Sequence, residues 1–176
     1  MKIRLSSGSI LLVIAILFGL LFESAGCKMG YSFTGASIPI EAKTISISYF
    51  TNNSSLAPPT LSQQFTEALK DICSNQTRLG LVAKGGDLTF EGYIVDYKVT
   101  PLAIQSNDQA ALNRLTITVQ VKYTNKFDSK KSFEASFSKF ADYSSSKSLS
   151  SVESSLIPQI NQLLTDEIFN RAFSNW

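Results

Sequence analysis

The side chains able to do chemistry are few, and what is missing sets the limits. The chain has no histidine, which removes the usual general base near neutral pH and the commonest metal ligand. Its two thiols, Cys27 and Cys73, therefore lack the imidazole that would activate a thiol as a nucleophile. Carboxylates are scattered. Glu91 and Asp96 share one extended stretch, and their odd spacing is expected to send them to opposite faces. Glu67 and Asp71 fall on one face of a helical stretch and read as solvated. Lys84-Gly85-Gly86-Asp87 is too short for a phosphate-cradling loop, and no helical pattern follows it. No cysteine and histidine spacing suggests zinc. These residues predict no catalytic group, no metal site and no cofactor. What remains is Cys27 as a point of covalent attachment, and a handful of cations able to meet an anion.

Cys27 has a particular setting. Lys2 and Arg4 open the chain, an unbroken apolar run follows from Ile10 to Phe22, and Ser24-Ala25-Gly26 leads into the cysteine. A charged head, a greasy core and small residues make a secretory signal peptide. The core falls short of the roughly 20 residues a bilayer-spanning helix needs. Small residues before a cysteine resemble the lipobox of bacterial lipoproteins, in which cleavage precedes a cysteine that carries lipid. Ser24 stands where that pattern usually has Leu. The alternative is an ordinary signal peptide or an uncleaved anchor, with Cys27 incidental. The expected organisation is a lipoprotein signal peptide over 1–26, a lipid-anchored leader over 27–43 and a single domain over 44–176.

Without Lys2, Arg4 and Glu23, the chain from Cys27 onward keeps 14 basic and 13 acidic side chains. That balance argues against nucleic acid as a partner, since such binders need a basic excess to displace counterions. If Cys27 carries lipid, Cys73 has no disulfide partner and is expected to be a small buried core residue.

The elements that must position these residues read in order. Tyr31–Thr34 suggests a brief strand. Thr44–Phe50 alternates with Ile45, Ile47 and Tyr49 on one face. Thr60-Leu61-Ser62-Gln63 reads as a capping box after Pro58-Pro59. Leu61, Phe65, Ala68, Leu69 and Ile72 then mark the apolar stripe of a first helix that fades near Asn75. A short strand over Leu79–Ala83, a turn over Lys84–Asp87 and a long strand over Leu88–Ala103 follow, the last with a parity change assigned to a bulge at Gly92. Leu115–Tyr123 alternates without exception, and Phe133–Ala141 continues the pattern after a charged turn. Ser150-Ser151-Val152-Glu153 reads as a second capping box. It opens a terminal helix with Val152, Leu156, Ile160, Leu163, Leu164, Ile168 and Ala172 inward, and Pro158 is expected to bend it or split off its first turns. The predicted fold is α+β: two amphipathic helices packed on one face of a mostly antiparallel sheet of four to five strands.

Several stretches together resemble the LptE family of outer-membrane lipoproteins that assist lipopolysaccharide assembly. They are Gly26-Cys27, Tyr31–Gly35, Ser37–Pro39, Lys43–Ile47, Pro59–Leu69, Ala111–Ile117, Phe140–Tyr143 and Phe169–Trp176. The likeness spans nearly all of the chain after the signal, and its order of strand, helix, strands and helix matches the family's. The resemblance implies a non-enzymatic protein at the outer membrane, lipid-anchored at Cys27 and facing the periplasm. It implies an LptD-type barrel as protein partner and lipopolysaccharide as ligand. A lipoprotein hydrolase is the competing enzymatic reading, and the absent histidine argues against it. An auxiliary lipoprotein of another envelope transport complex is the competing non-enzymatic reading.

The resemblance also gives the cations a candidate ligand, the phosphates of lipid A. The strands before Ala103 and after Leu112 form a hairpin, so the strand leaving through Tyr143–Leu149 returns to the same end. Arg114 and Lys147 are therefore expected together there, with Gln105 and Asn107. Arg suits bidentate phosphate contact and Lys acts as a point charge. Lys126, Lys130 and Lys131 form a competing, denser patch at the opposite end. The Arg114 end is preferred, because charges in a hairpin turn commonly serve solubility.

Overall fold

The structure, a computed structural model, describes residues 38–102 and 111–174. The expected signal peptide, Cys27, the brief strand at Tyr31–Thr34, Gln105, Asn107 and Trp176 lie outside the described residues.

Alternating Thr and Ile residues build β1 (Thr44–Ile47), and the chain then leaves the ladder before a two-residue β2 (Thr51–Asn52). The expected strand to Phe50 is thus interrupted. Phe50 goes to the core, and Tyr49 stays 57% exposed. The backbone N–H of Phe50 donates to the Thr66 hydroxyl on the first helix (3.1 Å), and that hydroxyl donates to the Ser62 carbonyl (2.7 Å). A side chain on the helix has taken a backbone group from the strand.

Helix α1 (Leu61–Gln76) buries Leu61, Phe65, Leu69 and Cys73. Its start follows Pro58-Pro59 as expected, but the Thr60 hydroxyl makes no capping bond. The Leu61 N–H is already satisfied by the Pro58 carbonyl at 3.0 Å, so a turn leads into the helix in place of the capping box. Cys73 is a free, fully buried thiol, as expected of a core residue.

The sheet has six strands and is mixed. β3 (Gly80–Val82), β4 (Leu88–Leu102), β5 (Leu112–Asn125) and β6 (Phe133–Ser144) give the order β3-β1-β4-β5-β6, with β2 beside β4. The meander β4-β5-β6 is antiparallel, as expected, but β1 pairs parallel with both β3 and β4. The reason is the α1 crossover, which returns the chain to the end where β1 began. The turn after β3 is no hairpin either. It carries the chain across β1, so close to its backbone that a Cβ on Gly86 would lie 2.5 Å from Ser46 N.

β5 reads as expected: Leu115, Ile117, Val119, Val121 and Tyr123 are all buried. β4 changes parity at Val95, between Ile94 and Asp96, and not at Gly92. Leu88, Phe90 and Ile94 point inward before the bulge and Tyr97 after it. Gly92 keeps the inward parity but has no side chain, because the Phe50 ring fills that place: a Cβ there would lie 2.5 Å from its Cε1.

Helix α2 (Leu149–Phe173) runs unbroken through Pro158, so the expected separate first segment does not form. Its N-cap is Ser148, before the expected capping box. Glu153, the anticipated capping partner, instead accepts a hydrogen bond from the Tyr97 hydroxyl. Leu163, expected in the core stripe, is 42% exposed, whereas Ile157, Phe169 and Phe173 are buried. Phe173 meets Phe90 and Tyr123 edge-on, with centroids 6.1 and 5.9 Å apart, and so joins the end of α2 to β4 and β5. Helix α1 lies against β1–β3, helix α2 against β5 and β6, and the helices touch each other. The α+β arrangement of two helices on one sheet face is as expected. The corrections are the sixth strand and the parallel pairs.

Candidate functional site

Two ends of the sheet carry the cations, and they are built differently. At one end the register aligns Leu102, Leu112 and Ser144 across β4, β5 and β6. The Ser145 N–H then donates to the Ala111 carbonyl at 2.9 Å. The exit of β6 therefore lies beside Ala111, at the end where β4 finishes and β5 begins, as expected from the hairpin. Lys147 is exposed in this exit turn, where its N–H donates to the Ser144 carbonyl at 3.0 Å.

Arg114 stands directly opposite Asp142 in the β5–β6 register. Its Nε and one terminal nitrogen donate to the two carboxylate oxygens at 2.7 and 2.9 Å. The guanidinium carbon also lies 3.5 Å above the Phe140 ring. Phe140 and Asp142 are two apart on one strand, so both point to the face that Arg114 uses. The pairing holds the Asp142 carboxyl below its ordinary pKa. About a third of each side chain remains exposed, 32% and 30%, so the pair adds little stability and mainly fixes the guanidinium plane. Two of the five Arg donors are committed to Asp142, and the others remain for a second anion. Arg114 is legible in the sequence, but its holders are not. The signal was there: an aromatic and an acid at spacing two, on the polar face of a strand next to the arginine's.

At the opposite end, Asn125 closes β5. Its side-chain oxygen accepts from the backbone N–H groups of Phe127 and Asp128, both at 3.0 Å. A short 3-10 turn (Ser129–Lys131) follows, with Asp128 accepting from the Lys130 N–H at 3.1 Å. Asp87 binds the start of β1 to this end. Its carboxylate accepts from the N–H groups of Lys43 and Thr44 and from the Thr44 hydroxyl, at 3.0, 3.1 and 2.9 Å. Those bonds, the one from the Lys43 backbone foremost, hold Asp87 below its ordinary pKa. From sequence this stretch is expected only as a turn.

Between α1 and α2 lies a groove of about 620 Å³ lined by Gln64, Asp71, Asn161 and Asp166 among others. Among the described residues no cluster of metal-ligating side chains forms, and no helix is long and apolar enough to cross a membrane. Cys73 is no reactive centre, since burial pushes its thiol up to about 12.

The arrangement is that of a small α+β domain that presents fixed charges at both ends of a sheet. The chain belongs to the LptE family: the family's model, described as lipopolysaccharide-assembly, matches residues 42–172. Among solved structures, a hypothetical protein from Chlamydia trachomatis has a TM-score of 0.50 at 12% identity, covering 74% of this chain and 95% of that one. A minor lipoprotein from Acinetobacter baumannii has a TM-score of 0.47 at 14% identity, covering 76% of this chain and 97% of that one. An uncharacterized lipoprotein B from Nitrosomonas europaea gives 0.47 at 13% identity, covering 82% and 88%. No curated protein matches the chain in sequence.

Proposed function

We propose that the protein is a non-enzymatic, outer-membrane lipoprotein that partners an LptD-type barrel and binds lipopolysaccharide during its assembly at the cell surface. The observation that carries this reading is the family match over residues 42–172. The signal grammar ending at Gly26-Cys27 supports lipid attachment at Cys27, with the leader over 27–43 joining the anchor to the domain. Lipopolysaccharide is bound at the end carrying Arg114 and Lys147. There the guanidinium is held flat by Phe140 and Asp142, with donors left over for a phosphate.

Two experiments test this reading. The lipidated protein, isolated from outer membranes, should bring down an LptD barrel; recovery of a transport-ATPase complex in its place would favour the auxiliary-lipoprotein alternative. Lipopolysaccharide binding is then compared for Arg114→Ala with Lys147→Ala and for Lys130→Ala with Lys131→Ala. The first pair should lose more affinity, and an equal or larger loss from the second would overturn the site assignment.

A further inference from the structure

We propose that the groove between α1 and α2 binds an extended, basic segment of a partner protein, pairing its backbone at Asn161 and its cations at Asp71 and Asp166. The inference rests on the reading above that the protein works with a protein partner. Asn161 lines this groove and is 2% exposed, yet neither its amide nitrogen nor its amide oxygen has a hydrogen-bond partner among the described residues. A buried carboxamide left unpaired costs the free domain stability. Pro158, three residues earlier on α2, lines the same groove. It removes an N–H from the helix interior, which also costs stability. Two residues that penalise α2 thus stand on one face, over one groove. Local losses of this kind mark positions that something other than folding determines.

The lining defines what fits. A carboxamide offers one acceptor and two donors, and a peptide bond returns a donor and an acceptor. Gln64 and Gln162 are exposed along the same groove, so their long side chains move aside at little cost. The terminal torsion of Asn161 is soft, which lets its amide turn to meet a segment lying in the groove. Half-buried Ala68 and Ile72 supply an apolar wall. The charge has one sign. Glu67 is engaged by Lys70 at 3.0 Å. Among the described residues, Asp71 and Asp166 enter no ion pair, and no lysine or arginine lines the groove. An anionic ligand, lipid A phosphates included, is therefore repelled here, and lysine or arginine is attracted.

Helix geometry sets the length of the segment. Gln64 to Gln76 spans twelve positions, or about 18 Å at about 1.5 Å each. An extended chain rising about 3.3 Å per residue crosses that length in about five or six residues. Asp166 lies five positions beyond Asn161, about 7.5 Å along α2. A lysine or arginine about two residues from the peptide bond held by Asn161 therefore reaches Asp166. The groove's volume of about 620 Å³ falls within the range of sites that enclose a ligand. Arg114 stands on the opposite, polar face of the sheet, next in sequence to the buried Leu115. A partner segment seated between the helices thus leaves the lipopolysaccharide end open.

The test uses the full lipidated chain in the cell envelope. A photoreactive benzoylphenylalanine replaces Gln64 or Gln76 on the groove, or Leu163, which is 42% exposed on α2 outside it. Captured segments are sequenced after chymotryptic digestion. The groove positions should capture one segment of a partner protein that carries lysine or arginine. Asn161→Leu should lower that yield about tenfold, as the loss of a buried polar partner implies. Asp71→Asn with Asp166→Asn should lower it as well, and capture from Leu163 should respond to neither change. Purified Asn161→Leu protein should also melt a few degrees above the parent, because the unpaired carboxamide is gone. A lower melting temperature would mean that Asn161 serves only the fold, and would overturn the inference. Groove capture indifferent to these variants, or capture of lipid or glycan alone, would overturn it too. Co-purification of the barrel without a groove cross-link refutes the groove alone. A basic segment from a different protein supports the groove and refutes the LptD-type partner.

Discussion

Gly92→Ala is a small change at a place with no room for it. The residue has the inward parity of Phe90 and Ile94 but makes way for the Phe50 ring. An added Cβ would lie 2.0 Å from the Gln120 carbonyl oxygen and 2.5 Å from Phe50 Cε1. By conformational preference alone, Ala in a strand interior should stabilise by about 0.5–1 kcal/mol over Gly. Overpacking typically costs about 1–3 kcal/mol, and the upper end applies because one contact is backbone held in the β4–β5 ladder. The net expectation is a loss of about 2 kcal/mol, or about 4–8 °C in melting temperature for a chain of this size. The assay is thermal unfolding, followed by circular dichroism, of the unlipidated chain that starts after Cys27. Phe50→Leu separates the two contacts: combined with Gly92→Ala it relieves the ring but not Gln120, so the coupling in a double-mutant cycle should be smaller than the whole loss. A Gly92→Ala protein that melts at or above the parent temperature would refute the claim that the ring and the neighbouring strand determine the glycine.

Two other outcomes follow from the side chains described. In a Cys27→Ala background, Cys73 should resist a water-soluble maleimide at pH 8 and react fully in denaturant, since the thiol is buried and pushed up to about 12; rapid native labelling would mean that α1 opens readily. Asp142 has a folded pKa depressed by Arg114, so its stabilisation is present above the unfolded carboxylate value of about 3.9 and fades as pH falls through the folded one. Asp142→Asn should therefore flatten the decline of melting temperature below pH 4, by a small amount given the exposure of the pair, and identical acid limbs would show that the pair contributes nothing.

What could be read from residue order was what repeats along one element. The alternation over Leu115–Tyr123 and the stripe of α1 located two layers and most of the core, because each pattern needs only its own neighbours. Pairing partners were less legible. Alternation in β1 says which face is buried but not which strand lies alongside, so its parallel pairs with Gly80–Val82 and Leu88–Phe90 are not legible in a sheet expected to be mostly antiparallel. The bulge was misplaced for a related reason: Gly92 looks like a break, but its missing side chain is compensated from Phe50, which is distant in sequence. Both expected capping boxes failed because other partners intervened, Pro58 at one helix and Tyr97 at the other. At the candidate site, the convergence of the end of β4 and the start of β5 with the exit of β6 followed from topology alone. The hold of Phe140 and Asp142 on Arg114 did not, since it depends on the β5–β6 register.

The mixed sheet also has a consequence for timing. Of the described strands β1 is the first to emerge as the chain is made, yet it lies between two strands that come later: Ile45 sits between Leu81 and Leu88. Antiparallel β4, β5 and β6 can zip from their own connections as they emerge, at low loop-closure cost. The first strand has to wait, with both edges open, until α1 and the crossing turn at Gly86 have passed. An unpaired edge is a template for pairing with other chains, so this is the interval in which a holding chaperone has most to protect. Lengthening the Ala83–Asp87 crossing should slow acquisition of the native sheet far more than the same insertion between β5 and β6.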